Sequence, residues 1–506
     1  MTLASCVNML SVARADTRKR SKPVVKEVEP QTPPPPRSRG PIAYLLSSLL
    51  LLVPCFWQSR LQAGDLSSHI YNAWLAQLIE SGHAPGLSIV VQTTNVLFDI
   101  ILSALFKFFG AAAAQRISVS LAVLIFVWGA FAFASKISGR QCWTLLPCMA
   151  IMAYGWIFHA GFFNFYLSLG LCFWALAFAW EWTRRGLVTA VLLLAIAYPA
   201  HALPVVWTIS VLAYVWMARR VAVERRLRLF TSTLLAIAIV AALINFTMDS
   251  KWSPEQITMI TGLDQVHVFD AKYWLVYAAL LLVWGLLFAR LLRQTGVRTL
   301  FTSVPFQVCA LTAAGILVLP NLLTIPGYQH ALAFIAERMS LALAICICAL
   351  LGTAQSRAYL TYSATANALL FFGFLYSDER VLNSFEDAMS QAVSQLPPGQ
   401  RVVSGVDDPY LRVNPLAHMI DRVCIGRCYS YSNYEPSTGQ FRIRATSANP
   451  IVLSSYEESW QLQNGIYTVQ DRDLPLYQVI LERSGRLTVR SLRAGVPSGI
   501  IYWNGL

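Results

Sequence analysis

Charged residues are scarce in this chain: they make up 13% of 506 residues, against roughly 25% in a soluble domain. That shortage excludes an ordinary water-soluble protein. Lysine is missing altogether from residues 377–506, which hold 12 Arg against 13 Asp plus Glu. The net charge of +13 therefore arises in residues 1–376, where 27 Lys plus Arg outnumber 13 Asp plus Glu. A basic C-terminal nucleic-acid arm is excluded. The sequence contains no GxxxxGK(S/T), GxGxxG, HExxH or GxSxG motif. These absences argue against nucleotide-driven transport and against a soluble-type hydrolase. Of the 10 cysteines, only Cys424 and Cys428 lie beyond residue 376. The others fall in the tail or in or beside apolar runs, where a thiol acts as a small apolar group.

Apolar sequence is plentiful, at 56% of the chain. Crossing the hydrocarbon layer takes about 20 apolar residues, or about 17 at the short end. Eleven segments qualify: 41–57, 116–135, 142–158, 163–180, 187–200, 203–218, 229–247, 272–290, 299–319, 329–351 and 359–376. An odd number places the two ends on opposite sides. Lys and Arg accumulate on the cytoplasmic side. With the N-terminus inside, 21 basic residues fall inside and five outside: Arg60, Lys107, Arg116, Lys251 and Lys272. This predicts an integral membrane protein with a cytoplasmic N-terminus and an extracytoplasmic C-terminal segment. Residues 1–40 are basic and proline-rich and read as a disordered cytoplasmic tail. Residues 41–57 read as a retained span, because no small-x-small cleavage site follows.

The outside loop 58–115 carries the first candidate site. Leu66, Ile70, Ala73, Trp74 and Leu78 recur at helical spacing, and a more apolar helix covers 95–109. The spacing predicts two helices lying along the membrane interface. Asp65, His69 and Asn72 share one face of the first helix. One reading is a general base or a divalent-metal site built on Asp65 and His69. The other is a capping Asp65 followed by a solvated face. The short outside turns supply His159, Asn164 and His201, the 248–271 loop supplies His267, and His330 lies near the same side. Histidines gathered on one side suggest a polar cavity opening outward. Glu337 and Arg338 sit inside the tenth apolar segment, where charges usually face a cavity or a partner. They read as an internal ion pair, or as Arg338 holding an anionic head group.

Residues 377–506 return to a soluble-like charge density. A helix over 379–395 leads to strands in RVVSGVD, QFRIRA, LYQVILE and RLTVRSL, with helices near 414–423 and 453–462. This predicts a small α+β or α/β extracytoplasmic domain. Cys424 and Cys428 allow a disulfide, free thiols, or a metal site with His418.

The whole pattern resembles the GT-C-type polytopic membrane glycosyltransferases. The resemblance rests on a basic cytoplasmic end, one span, an acid opening a long first outside loop, many further spans and an extracytoplasmic C-terminal domain. GDLSSHIYNAWLA places Asp65 where that class carries its catalytic acid, although Gly64 and Leu66 flank it where many members have a paired acid. GFFNFYLSLG and PAHALP resemble segments of uncharacterised bacterial members. The resemblance implies an α-helical polytopic domain over 41–376 and location in a bacterial inner membrane. It also implies sugar transfer from a polyprenyl-phosphate donor to an envelope acceptor. Asp65 would act as base, His69 would assist it or hold a metal, and Arg338 would receive the lipid phosphate. Asn72, His159, Asn164, His201 and Glu337 would line the substrate site. The competing expectations are a transporter or lipid flippase, and a non-catalytic envelope-assembly scaffold. A flippase fits less well, since no internal repeat is evident.

Overall fold

The computed structural model describes residues 40–326, 331–355, 357–446 and 449–506. The tail read over 1–40 lies outside them, Gly40 apart. The protein is a mostly helical membrane protein with small sheets. Among the described residues six helices are long and apolar enough to cross a bilayer: Leu97–Ser138, Trp143–Ala160, Ala202–Arg220, Val223–Thr247, Tyr273–Thr295 and Ala358–Val393. Pro41–Cys55, Phe163–Ala179 and Val304–Val318 are shorter apolar helices. Arg184–Ala200 and Ile335–Leu351 complete the set, so a helix overlaps each of the eleven apolar segments.

Local chemistry sets where these helices start and bend. Pro41 opens the first, its fixed φ already helical. Thr183 caps Arg184–Ala200 by accepting from the Gly186 amide. His201 caps Ala202–Arg220 by accepting from the Leu203 amide. Gly110, at φ 75°, breaks Leu97–Ser138 into two rods. The sequence reading of an interfacial helix over 95–109 and a span over 116–135 thus describes two arms of one kinked helix. The core forms where Leu97–Ser138 meets Phe163–Ala179. A Cβ on Gly129 would lie 2.5 Å from the Gly170 carbonyl oxygen, so the two backbones approach as only glycine permits. Phe126 and Tyr166 stack beside this crossing, 4.4 Å between centroids. Val223–Thr247 is the opposite case. Leu235, Ile239, Leu243 and Phe246 on it are exposed, as expected of a lipid-facing helix.

Two expectations require correction. The span over 359–376 and the helix over 379–395 are one continuous helix, Ala358–Val393. Its 36 residues make a rod of about 54 Å at 1.5 Å per residue. This rod carries the chain without a break into the C-terminal segment. Nor does the first loop merely lie along an interface. Leu66–Glu80 is buried on most sides, His69 and Asn72 included, and Leu416–Cys424 packs against it.

The C-terminal strands fall largely where the alternation predicts. A four-stranded sheet runs Tyr429–Ser430, Arg401–Ser404, Leu476–Leu481, Leu487–Ser491. The first two pairings are parallel and the last is an antiparallel hairpin. QFRIRA behaves differently. Its strand Ile443–Ala445 leaves this sheet and pairs antiparallel with Leu87–Ile89 of the first loop, Leu87 opposite Ala445.

Candidate functional site

Asp65 is fixed by its backbone, and its side chain is not spent on the helix. The Gly64 amide donates to the His159 carbonyl at 2.7 Å and the Asp65 amide to the Ala160 carbonyl at 3.1 Å. Glycines permit this close seam: a Cβ on Gly64 would lie 2.9 Å from the Ala160 oxygen, and one on Gly161 2.5 Å from the Asp65 nitrogen. Asp65 occupies the N-cap position of Leu66–Glu80 but makes no side-chain cap hydrogen bond. The reading of a capping Asp65 with a solvated helix face is therefore overturned. Its side chain keeps 25% of its surface open.

One turn on, His69 is committed to a partner. Its Nδ1 lies 2.6 Å from Asp99 Oδ1 and 3.8 Å from Glu435 Oε1. Asn164 Nδ2 donates to Asp99 Oδ2 at 2.7 Å, while Asn164 Oδ1 accepts from the Phe98 amide at 2.8 Å. Asn164 thus fixes Asp99, and Asp99 fixes His69. Burial opposes the His69 imidazolium, but the Asp99 carboxylate, with help from Glu435 and Asp65, raises its pKa to about 10. The Asp99 contact thus favours the imidazolium of His69, which places positive charge beside Asp65. Burial, reinforced by Asp99 and opposed by His69, pushes Glu435 up to about 8. Asn72 points to the C-terminal segment, accepting from Asn433 Nδ2 at 2.8 Å.

Arg338 reaches the same neighbourhood from Ile335–Leu351. Asp65, Glu337 and Tyr434 are the ionisable groups whose charges act on it. No ion pair of Arg338 within 4.0 Å occurs among the described residues, and its buried Nε has no hydrogen-bond partner there. Its guanidinium stacks on Phe162, 4.3 Å from the ring centroid. Glu337 instead accepts from Asn321 Nδ2 at 3.1 Å. The internal Glu337–Arg338 pair is thus not made, and the Arg338 cation is left without a counter-ion in contact.

The histidines separate. His201 caps its own helix at 3.2 Å and lies within reach of the Arg338 charge. His159 belongs to the wall, with Nδ1 3.0 Å from the Gln62 carbonyl and its ring against Phe269. His267 leaves the group and packs on Trp274 at 4.9 Å. His330 lies outside the described residues. Asp65 thus lies within electrostatic reach of His69 and Arg338, and Arg338 within reach of His201, but none of them lines a described cavity.

Reasoning on the sequence missed the groups brought in from the C-terminal segment: Tyr434, Glu435 and Arg442. Arg442 donates to Ser103 at 2.6 Å, and its charge acts on Asp99 and Glu435. Nothing local in QFRIRA or NYEPS marks them. Asp99 did leave a signal, as a carboxylate interrupting an otherwise apolar helix.

No three His, Cys, Asp or Glu side chains among the described residues are placed to hold a metal ion. The Asp65/His69 metal reading therefore finds no third such ligand, and with Nδ1 on Asp99 only Nε2 of His69 is left to offer. Cys424 and Cys428 form a disulfide with Cα atoms 4.5 Å apart. Leu416–Cys424 ends at the first cysteine and Gly426 turns the chain at φ 74°. A spacing of four on one continuous helix would suit a disulfide poorly, and that turn ends the helix; the disulfide in turn removes the His418/Cys424/Cys428 metal site.

A groove of about 280 Å³ opens among the membrane helices; its lining takes in the first turn of Ile335–Leu351, the helix that carries Arg338, but not Arg338 itself. Trp207, Val211, Val308, Ile316, Ile335 and Met339 are among its almost wholly apolar lining. It lies between Ala202–Arg220, Val223–Thr247, Val304–Val318 and Ile335–Leu351. No family model, curated protein or solved structure matches this chain.

Proposed function

We propose that the protein is a membrane glycosyltransferase that moves a sugar from a polyprenyl-phosphate donor to an acceptor hydroxyl at the outer membrane face. One observation carries the reading. Asp65, a part-exposed carboxylate that does not cap its helix, lies within the field of Arg338, a guanidinium with no ion-pair partner among the described residues, and the Arg338 helix also lines an apolar groove. The groove suits an isoprenoid chain, Arg338 suits its phosphate, and Asp65 suits the acceptor hydroxyl. Asp65 accepts the hydroxyl proton as the acceptor oxygen bonds to the anomeric carbon. The bond from that carbon to the phosphate oxygen breaks, and the lipid phosphate leaves with the electron pair. Arg338 offsets its charge through a charge-assisted contact of roughly 1.5–3 kcal/mol. Eleven crossings, a cytoplasmic N-terminus and an extracytoplasmic C-terminal segment belong to this reading, supported by the Lys and Arg bias.

The test is an in vitro assay with radiolabelled hexoses on undecaprenyl phosphate and lipid-extracted envelope acceptors. Wild type transfers label; Asp65→Asn abolishes transfer while the protein still purifies as a folded monodisperse species. Full activity in Asp65→Asn would remove the carboxylate from the chemistry. Arg338→Ala raises the apparent KM for the lipid donor. An unchanged donor dependence would remove Arg338 from the site.

A further inference from the structure

Asp65 has a neighbour from the far end of the chain. His418, on Leu416–Cys424, points Nε2 at Asp65 Oδ1 across 3.7 Å. Its Nδ1 lies 3.4 Å from Asp421 Oδ2, one turn along the same helix. Asp421 is buried, and its Oδ1 accepts from the Ser430 hydroxyl. The Ser430 amide donates to the Tyr71 hydroxyl at 3.0 Å. Tyr71 stands on Leu66–Glu80, the helix that Asp65 opens. The polar contacts thus leave Asp65, pass through His418, Asp421 and Ser430, and return to the same helix. The Cys424–Cys428 disulfide ties the end of the His418 helix to the strand that holds Ser430.

We infer that His418 is a positioning residue for Asp65: oriented by Asp421, its imidazole holds the Asp65 carboxylate in place. The inference rests on the reading of Asp65 as the base. A histidine serving packing alone would spend both ring nitrogens on groups of its own segment, whereas His418 turns only Nδ1 to its own helix and Nε2 to the first loop. Here each faces a carboxylate at slightly more than hydrogen-bond distance, and such contacts often tighten only when substrate binds. Around His418 the ionisable groups are Asp421 on its own helix, Asp65 from the first loop, and Tyr434 and Glu435 from the turn Tyr434–Thr438. Around Asp65 they are His418, His69, Arg338, Tyr434 and Glu435. Burial opposes the His418 imidazolium, and Asp421 followed by Asp65 outweighs it, raising the His418 pKa.

The test uses the full chain in detergent with isotope-labelled histidine, the His418 signal being assigned by its loss in His418→Gln. In Asp65→Asn the His418 titration midpoint falls by about one pH unit; an unmoved midpoint overturns the inference without reference to any activity. In the transfer assay from undecaprenyl-phosphate hexose, His418→Gln lowers kcat about tenfold to a hundredfold and leaves the donor KM unchanged. A rise in donor KM with kcat in place marks a structural role and also overturns it. If wild type transfers no sugar, the glycosyltransferase reading fails, while the titration still decides the coupling.

Discussion

Asp65 is set less by its own helix than by two glycines. Gly161 sits at φ +88°, where side chains other than glycine are strained, and its missing Cβ leaves room for the Asp65 backbone. If Asp65 is the proposed base, Gly161→Ala should impair transfer by displacing its backbone. Strain of about 1–3 kcal/mol is expected as a lowered melting temperature. Transfer should fall more than the folded fraction does, because the carboxylate is displaced. A variant as active as wild type would show that the seam tolerates a methyl group. The same residues explain why GDLSSH and HAGFF are legible singly but not as a pair. Their amide-to-carbonyl seam joins positions about a hundred residues apart, and no local pattern encodes it. His69 lends itself to a pH test. Its raised pKa means the folded state holds a proton that the unfolded chain releases above about 6.5. Its stabilising contribution is complete below that value and is lost as pH rises through about 10. Glu435, raised to about 8, tilts stability the same way at lower pH. Thermal stability of wild type should thus decline on the alkaline side. Asp99→Asn should flatten the part above pH 8, as read by thermal denaturation across buffers.

Among the elements, the apolar helices were readable because membrane burial leaves a composition signal that needs no partner. The strand Leu87–Ile89 was not, since the alternation of three residues inside HAPGLSIVV is too short to stand out. Only Ile443–Ala445 makes it a strand. The Thr446 amide donates to the Gly86 carbonyl and the Val90 amide to the Arg442 carbonyl. Leu87 and Ala445 therefore fall at a position without ladder hydrogen bonds, where opposed Cα atoms lie about 4.5 Å apart. That spacing suits a disulfide. Leu87→Cys combined with Ala445→Cys should cross-link the first loop to the C-terminal segment. On a gel after a protease cut between them, the fragments should stay joined until reductant is added. Separate fragments without reductant would contradict the pairing. The uninterrupted Ala358–Val393 rod was hidden for another reason. Its pattern changes from apolar to amphipathic near residue 377, which reads as a boundary although the backbone does not break.

At the scale of the whole molecule, the change in composition at residue 377 does not divide it. The carboxylate of Glu386 is buried near the end of the long rod, where an isolated charge is very costly. Its charge is met from both directions. Arg422 of the C-terminal segment makes a two-pronged contact, Nε to Oε1 at 2.8 Å and Nη2 to Oε2 at 2.6 Å. Arg60 of the first loop lies 3.1 Å from Oε1, and Gln62 donates to Oε2 at 2.7 Å. Arg422 also donates to the Leu61 carbonyl at 2.8 Å. The chain just before Asp65 is thus bound to the C-terminal segment through one guanidinium. Removing a single partner from such a buried pair costs about 3–5 kcal/mol, whereas replacing both with apolar groups is often neutral. Arg422→Leu should therefore lower the melting temperature sharply and cut transfer with it, and Arg422→Leu with Glu386→Leu should recover much of the stability. The double variant should still transfer poorly, because the polar joint that steadies residues 60–62 is gone even when the fold is restored. If the two changes are additive in thermal denaturation, the residues do not form one unit. In that case the C-terminal segment is only an appendage to the membrane helices.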